Sequence, residues 1–497
     1  MEEFSTGAAN NTQKLLLILI GLSICVNLIS IIGFSLRDWD EGVFALQGQW
    51  LTSGFSQGKP YNFQTPPLYP VIAGVGMLLV KGDPMILPVF SFLFSIATLI
   101  IIYYLGKHLY GSETAIFAIA LFTSTELFFF FSKSGLSDAM FLFFFSIAFL
   151  NIVRNKKGRM KYFMFSGAFI TLAMYTKYSG IVLLAYAIIT GIIMGMHKNW
   201  KWYVFQIAIP IILFSPLIFL YIKFTPGTNI EQRFAELIGI NYHNHLYYLI
   251  AFAPAPVILG CSAQFKRSKE NLSNKIIIFS IIIYFILLGL YYPYFRLDYP
   301  LIMLMAIAGA SLNIQPGLKN WIILVTAIIG IAFSVPTIIY QNRIPVRYAN
   351  EVKRYIGQEN IKILYSTVPP NIEYYLQGNF TVMDNHPWFT ITETYPVFRT
   401  GHRILYRSEN ELKPGEEILI AHASINDSIK SVFPDIFTKS QLILSYKFID
   451  APLYQKDIFN RPQEQRFELY KLKIDDQSLA DKIWQMGFKK GISVLVY

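Results

Sequence analysis

Three carboxylates fall within four residues in the stretch Arg37-Asp38-Trp39-Asp40-Glu41-Gly42. An aspartate at a water–lipid boundary can take the proton of an attacking hydroxyl or help to hold a divalent ion, so Asp40, with Glu41 beside it, is a candidate for either task. The plainer alternative is a polar loop in which Asp38 or Asp40 caps the short amphipathic stretch that follows, 43–51. A second candidate is Ser132-Lys133-Ser134-Gly135-Leu136-Ser137-Asp138, with Lys133 and Asp138 at the mouth of an apolar run. Ionisable groups at membrane depth are costly to keep and default to functional candidates, although an aspartate there also complements a helix dipole. A third is Tyr291-Tyr292-Pro293-Tyr294-Phe295-Arg296-Leu297-Asp298-Tyr299-Pro300. Arg296 could clamp a phosphate bidentately, which a lysine does less specifically; the four tyrosines equally fit an interfacial belt with a snorkelling arginine. His243 and His245 have no third ligand nearby in sequence and read as loop residues before metal ligands. No Walker-type Gly-rich loop occurs, which argues against nucleotide hydrolysis.

The elements that must position these residues are set by composition. Of 497 residues, 54% are hydrophobic and 15% charged, against about 25% charged in ordinary globular proteins. Runs such as 15–32, 85–104, 139–153 and 321–340 approach or reach the roughly 17–25 residues needed to cross a bilayer. Membrane β-barrels are excluded, because their strands alternate apolar and polar residues. The net charge of +11 does not imply a nucleic-acid partner, since the basic residues lie between apolar runs and report topology. Cys25 and Cys261 support neither a disulfide framework nor a Cys-based zinc site. The first run lacks a small-residue cleavage site and reads as a retained helix, not a signal peptide.

Spans are expected near 14–34, 85–106, 112–131, 138–153, 162–177, 179–196, 202–222, 246–261, 276–292, 297–313 and 320–340, eleven in all. With the N-terminus cytoplasmic, fourteen basic residues fall inside and eight outside, and the dense runs 154–161 and 266–275 both fall inside. The stretch 66–80, apolar but short and broken by Pro66, Pro67 and Pro70, is expected to be re-entrant or juxtamembrane. Everything after residue 340 then lies outside, where short β-rich runs at 361–365, 417–420, 442–448 and 467–472 alternate with helical stretches. The expected division is a transmembrane catalytic domain, 1–340, and an extracytoplasmic soluble α/β domain, 341–497. Asn379 and Asn426 begin glycosylation-type sequons, patterns short enough to arise by chance.

In this topology Asp40, Glu41, Lys133, Asp138 and Arg296 all face outward at the interface. Carboxylates and cations there suit a substrate with an anionic head and a lipidic tail.

The motifs also occur in a familiar order: Asp40-Glu41-Gly42, Thr65-Pro66-Pro67-Leu68-Tyr69, 104–111, 132–138, Tyr175-Thr176-Lys177-Tyr178, and Arg296-Leu297-Asp298-Tyr299-Pro300. Over roughly 15–340 the chain resembles the GT-C glycosyltransferases of the protein O-mannosyltransferase and lipid A aminoarabinose transferase group. The resemblance implies a polytopic α-helical membrane protein of the GT-C fold, about 11–13 helices, that moves a monosaccharide from a polyprenyl-phosphate donor to a hydroxyl or phosphate acceptor. It implies Asp40 as catalytic base or acceptor-orienting group with Glu41 its motif partner, Asp138 as the second acidic motif, and Lys133 and Arg296 as cations facing the donor phosphate. Aminoarabinose transferases carry Glu-Lys before the double proline, where this chain has Gln64-Thr65. That departure argues against lipid A aminoarabinose transfer and against a metal site built on that pair, so a divalent metal ion is only a possible cofactor.

The expected activity is therefore inverting transfer from a polyprenyl-phosphate sugar to a hydroxyl-bearing protein, lipid or glycan at the outer face of the cell membrane. No further cofactor is expected. The alternatives are a transporter or flippase of lipid-linked sugars, which would show midplane charges and inverted repeats, and a non-catalytic membrane scaffold.

Overall fold

In the computed structural model, apart from gaps of one or two residues, residues 34–54, 65–224, 239–266, 272–315, 344–376, 381–384, 412–448 and 465–488 are described, with scattered positions at 18–31 and 317–332. The expected spans 14–34 and 320–340 and the sequons at Asn379 and Asn426 lie wholly or largely outside the described residues.

Along the chain run α1 (Trp39–Thr52), α2 (Leu68–Leu79), α3 (Ile86–Tyr110), α4 (Ser112–Thr123), α5 (Glu126–Phe131), α6 (Asp138–Arg154), α7 (Met160–Thr176), α8 (Val182–Ile193), α9 (Ile209–Phe224), α10 (Tyr242–Phe252), α11 (Pro254–Lys266), α12 (Leu272–Gly289) and α13 (Tyr299–Ala310). There follow α14 (Ile344–Glu359), β1 (Ile363–Thr367), α15 (Pro370–Leu376), β2 (Thr381–Asp384), β3 (Glu417–Ala423), α16 (Asp427–Val432), α17 (Pro434–Lys439), β4 (Gln441–Phe448), β5 (Gln465–Lys473) and α18 (Gln477–Phe488). By internal packing the chain forms two compact units: 1–32, 63–69 and 87–338, and 33–62, 70–86 and 339–497. The second unit thus starts its C-terminal part close to the expected boundary at 340, but it also takes in α1 and most of α2, which the sequence assigns to the transmembrane domain.

In the first unit, three described helices are long and apolar enough to cross a membrane: Ile86–Tyr110, Trp200–Leu220 and Leu272–Gly289. The pair Tyr242–Phe252 and Pro254–Ala263 makes a fourth if counted as one span bent by 113°. The bend falls at Ala253, where Pro254 disfavours helical geometry in the residue before it. The expected span 112–131 is likewise two helices, because Thr125 leaves helical geometry and its hydroxyl accepts from Phe128 N–H to cap α5. Helices α6 and α7 have 17 residues each, about 25 Å at 1.5 Å per residue, the lower limit for a span. Every residue of α13 is buried, so this all-apolar helix faces protein on all sides. Gly309 and Gly260 allow α13 and α11 to approach, since a Cβ at Gly309 would lie 2.7 Å from Leu259 Cβ.

In the second unit, Tyr348, Ala349, Val352 and Ile356 form one buried stripe on α14 at helical spacing. The stripe covers a five-stranded sheet of order β2-β1-β3-β5-β4, in which β2, β1 and β3 are parallel and β5 runs antiparallel to β3 and β4. Strand β3 is buried from Ile418 to Ala423; Leu419 and Ala421 pack toward α14 and α15, Ile418 and Ile420 toward α17 and α18. Four strands match the expected β-rich runs to within three residues at either end, and β2 is an addition.

One ion-pair cluster in this sheet makes stability pH-dependent. Glu468, 6% exposed on β5, accepts from Lys430 Nζ at 2.5 Å and from Tyr470 OH at 2.7 Å. Burial pushes the Glu468 carboxyl upward, yet the Lys430 and Tyr470 hydrogen bonds outweigh it and hold its pKa below the usual value. The depressed pKa means that this contribution is complete above the unfolded-state value, about 4.3, and disappears as pH falls through the folded-state value. Glu468→Gln is expected to cost about 1.5 kcal/mol at pH 7, the low end for a charged hydrogen bond because Lys430 is a quarter exposed. Thermal melts of both proteins from pH 7 to 3 check this: the gap between them should close below pH 4.

Candidate active site

Two groups of sequence candidates take shape, each within its own unit. The first centres on Asp138, the first residue of α6, 1% exposed. Helices α6 and α7 form a hairpin joined by a short turn, so the start of α6 lies beside the end of α7. That brings Lys177, which caps the C-terminus of α7, to Asp138: Lys177 Nζ donates to Asp138 Oδ1 at 2.5 Å. Arg296 arrives from the 3-10 turn Phe295–Asp298 that leads into α13. Its Nε and Nη2 both donate to Asp138 Oδ2, at 3.0 and 2.8 Å, and its Nη1 donates to Tyr294 OH at 2.9 Å. Arg296 is 3% exposed and its guanidinium lies over the Tyr294 ring, 5.2 Å from the centroid.

Aromatic packing fixes the turn that carries Arg296. Phe295 is buried among Phe131, Phe252 and Tyr248, with centroids 6.3, 5.2 and 6.2 Å away, and Tyr284 OH donates to Leu297 O at 2.9 Å. One residue beyond Leu297, Asp298 accepts from or shares a proton with His245 Nδ1 at 3.1 and 3.2 Å, both side chains fully buried. His245 therefore departs from the loop residue expected from sequence: it belongs to α10, while His243 lies two residues away on the same helix. Lys133 is buried, 1% exposed, in the turn before α6.

One carboxylate thus gathers an ammonium and a guanidinium at one end of the hairpin. The partners of Asp138 among the described residues are Lys177 and Arg296. Lys177 stands out only as part of the motif Tyr175-Thr176-Lys177-Tyr178, and the signal that could identify it is the hairpin arithmetic that places residues 138 and 177 at the same end. Among the described residues, no three His, Cys, Asp or Glu side chains come together in a way that could hold a metal ion.

The second group is Asp40 and Glu41 in the first turn of α1. Asp38 is the N-cap, accepting from Asp40 N–H at 2.8 Å, and Glu41 reaches back to accept from Asp38 N–H at 3.1 Å, a reciprocal capping box. The capping alternative of the sequence analysis thus describes Asp38 and Glu41, and Glu41 is 1% exposed. Asp40 is half-buried at the same helix start. Helix α15 grips this segment: Tyr375 OH accepts from Leu36 N–H at 2.9 Å, and Gly42 meets the backbone at Pro370 and Asn371 so closely that a Cβ would lie 2.0 Å from Asn371 N. Tyr374 OH donates to Gly82 O, beyond α2. Helix α1 also packs on α2 through Gly48 and Gly74, where a Cβ on Gly74 would be 2.8 Å from Gly48 O.

Residues 64–219 match the sequence model of the dolichyl-phosphate-mannose-protein mannosyltransferase family, just under a third of the chain. No curated protein matches by sequence. Among solved structures, ArnT from Cupriavidus metallidurans bound to undecaprenyl phosphate is similar over 92% of this chain and 97% of its own, with a TM-score of 0.61 at 11% identity. Its apo state gives 0.60 at 12% identity, over 93% and 98%. The arabinofuranosyltransferase AftD from Mycobacteria gives 0.53 at 12% identity, over 93% of this chain and 40% of its own. The architecture thus extends the likeness well beyond the matched segment, and this chain is a multi-pass membrane protein with the GT-C glycosyltransferase fold.

Proposed function

We propose that the protein transfers a monosaccharide from a polyprenyl-phosphate donor to a hydroxyl-bearing protein, lipid or glycan, with inversion, at the extracytoplasmic face of the cell membrane. The observation that carries this reading is the cluster of Asp138, Lys177 and Arg296. A buried guanidinium and an ammonium brought together on Asp138 concentrate cationic donors at the end of a membrane hairpin, groups that suit the phosphate of a lipidic donor. That ArnT has been solved with undecaprenyl phosphate supports the same donor class.

In-line attack by an acceptor hydroxyl on the anomeric carbon breaks the bond to the phosphate oxygen, which leaves with the electron pair as polyprenyl phosphate. Asp40 is assigned the hydroxyl proton as general base. Arg296 and Lys177, with Lys133 from the neighbouring turn, are assigned the charge that grows on the departing phosphate. Asp138 keeps both cations in place. The capping box fixes the start of α1, so the Asp40 backbone is set before substrate arrives.

Transfer of radiolabel from a panel of polyprenyl-phosphate monosaccharides in membranes tests the reading. Asp40→Asn is expected to reduce transfer at least tenfold, with unchanged expression and melting behaviour. A variant retaining more than a tenth of wild-type transfer removes Asp40 from the role, and no transfer by abundant folded wild type moves the assignment to lipid-linked sugar transport.

A further inference from the structure

The opposite end of the α6–α7 hairpin carries a different concentration of charge. From residue 139 to 230 the sequence contains no aspartate or glutamate, yet Arg154, Lys156, Lys157, Arg159, Lys161, Lys198 and Lys201 lie within it. Lys157 and Gly158 on one turn and the segment 195–200 line an open surface cavity of about 500 Å³, with Gly195, Lys198, Asn199 and Trp200 on its second side. Gly158 and Gly195 both have left-handed backbones, φ 62° and 71°, which let the two turns bend around the opening. The described lysines of this rim, Lys157, Lys161 and Lys198, are exposed, as is Trp200 at 64%. Lys201 Nζ lies 5.9 Å from the Trp200 ring centroid and the Arg154 guanidinium 5.5 Å from that of Tyr104.

Asn155, 2% exposed, shapes the first of these turns: its Oδ1 accepts from Arg159 N–H at 2.7 Å.

We infer that this cavity binds the phosphate headgroup of an anionic membrane lipid. Arg154 ends α6, which begins at Asp138, and Met160 begins α7, which ends beside Lys177. The cavity therefore lies about 25 Å from the Asp138 cluster, one hydrocarbon thickness away, in the other leaflet. An exposed tryptophan among exposed lysines is the composition of an interfacial lipid site, and each lysine near an anionic surface adds attraction. The site goes beyond the proposed transfer reaction and does not depend on it.

The test uses the full chain in phosphatidylcholine nanodiscs, with native mass spectrometry reading the binding of added phosphatidylglycerol. The double variant Lys157→Gln/Lys198→Gln is expected to weaken binding of the first phosphatidylglycerol about tenfold or more. The charge-matched pair Lys413→Gln/Lys473→Gln and the charge-keeping pair Lys157→Arg/Lys198→Arg should stay within about twofold of wild type. Equal affinity of the Lys157→Gln/Lys198→Gln variant and wild type, with matching melting curves in phosphatidylcholine, overturns the site. Displacement of the lipid by millimolar inorganic phosphate overturns the lipid as its occupant and assigns the cavity to a soluble phosphate.

Discussion

Asp138→Asn is expected to destabilise the membrane unit by about 3–5 kcal/mol, because it removes a buried carboxylate shared by two cations at a site where Arg296 is 3% and Asp138 1% exposed. An amide can accept one hydrogen bond through Oδ1, but it cannot balance Lys177 and Arg296, and its own N–H groups would face them. Under the proposed function the same change should lower transfer at least a hundredfold, since displaced cations no longer meet a leaving phosphate. Stability and activity separate in the double variant Asp138→Leu/Arg296→Leu. Replacing a buried ion pair by apolar groups often restores stability, so this protein should melt closer to wild type than Asp138→Asn while remaining inactive. Melting curves in detergent together with the radiolabel assay check both halves. A double variant that regains transfer would show that the cluster serves only the fold.

Gly42→Ala is expected to have the second large effect, by a different route. The added methyl would sit 2.0 Å from Asn371 N, 2.3 Å from Pro370 C and 2.5 Å from Asn371 Cα. All three are backbone atoms, which cannot rotate away as a side chain can, so α1 or α15 must shift. Overpacking of this kind costs about 1–3 kcal/mol, and the shift would fall in the same helical turn as Asp40. Transfer should drop with it even though no charge is altered. Gly357→Ala is the contrast: its Cβ meets nothing within 4 Å on α14, and alanine there should stabilise by about 0.5–1 kcal/mol. Measuring the two melting midpoints side by side separates the loss of a close contact from the loss of backbone freedom.

Much of this arrangement is legible in the sequence, and the rest is not for identifiable reasons. Apolar runs reveal the helices of the membrane unit, and period-two runs reveal four of the five strands. An apolar run does not say whether its face meets lipid or protein, which is why α13 reads as a span although it is buried on every side. Nor does it show the break at Ser124-Thr125 or the bend at Ala253, for which the local signals are a capping threonine before Glu126 and a proline at 254. At the site, residue types and order single out Asp138 and Arg296, but their contact bridges 158 residues and depends on how α13 packs. Lys177 is nearer, 39 residues away, yet the contact becomes visible only once α6 and α7 are known to pair. In the Asp40-Glu41-Gly42 motif, Asp40 and its partner Glu41 read as the residues for chemistry. In the structure, Glu41 closes a cap and Gly42 makes room for a backbone over 300 positions later, while Asp40 alone keeps the proposed chemical role.

That last contact has a consequence for how the protein is made. Helix α1 is translated early, but the α15 backbone against which Gly42 fits is 328 positions downstream. At about 5–20 residues per second, the ribosome takes roughly 15–65 s to deliver it. Through that interval Leu36 N–H lacks the Tyr375 hydroxyl that accepts it in the folded protein. The last third of the chain therefore completes the shelf on which the earliest acidic motif rests, and a ribosome that stops near residue 340 would release a membrane bundle with that motif unmoored.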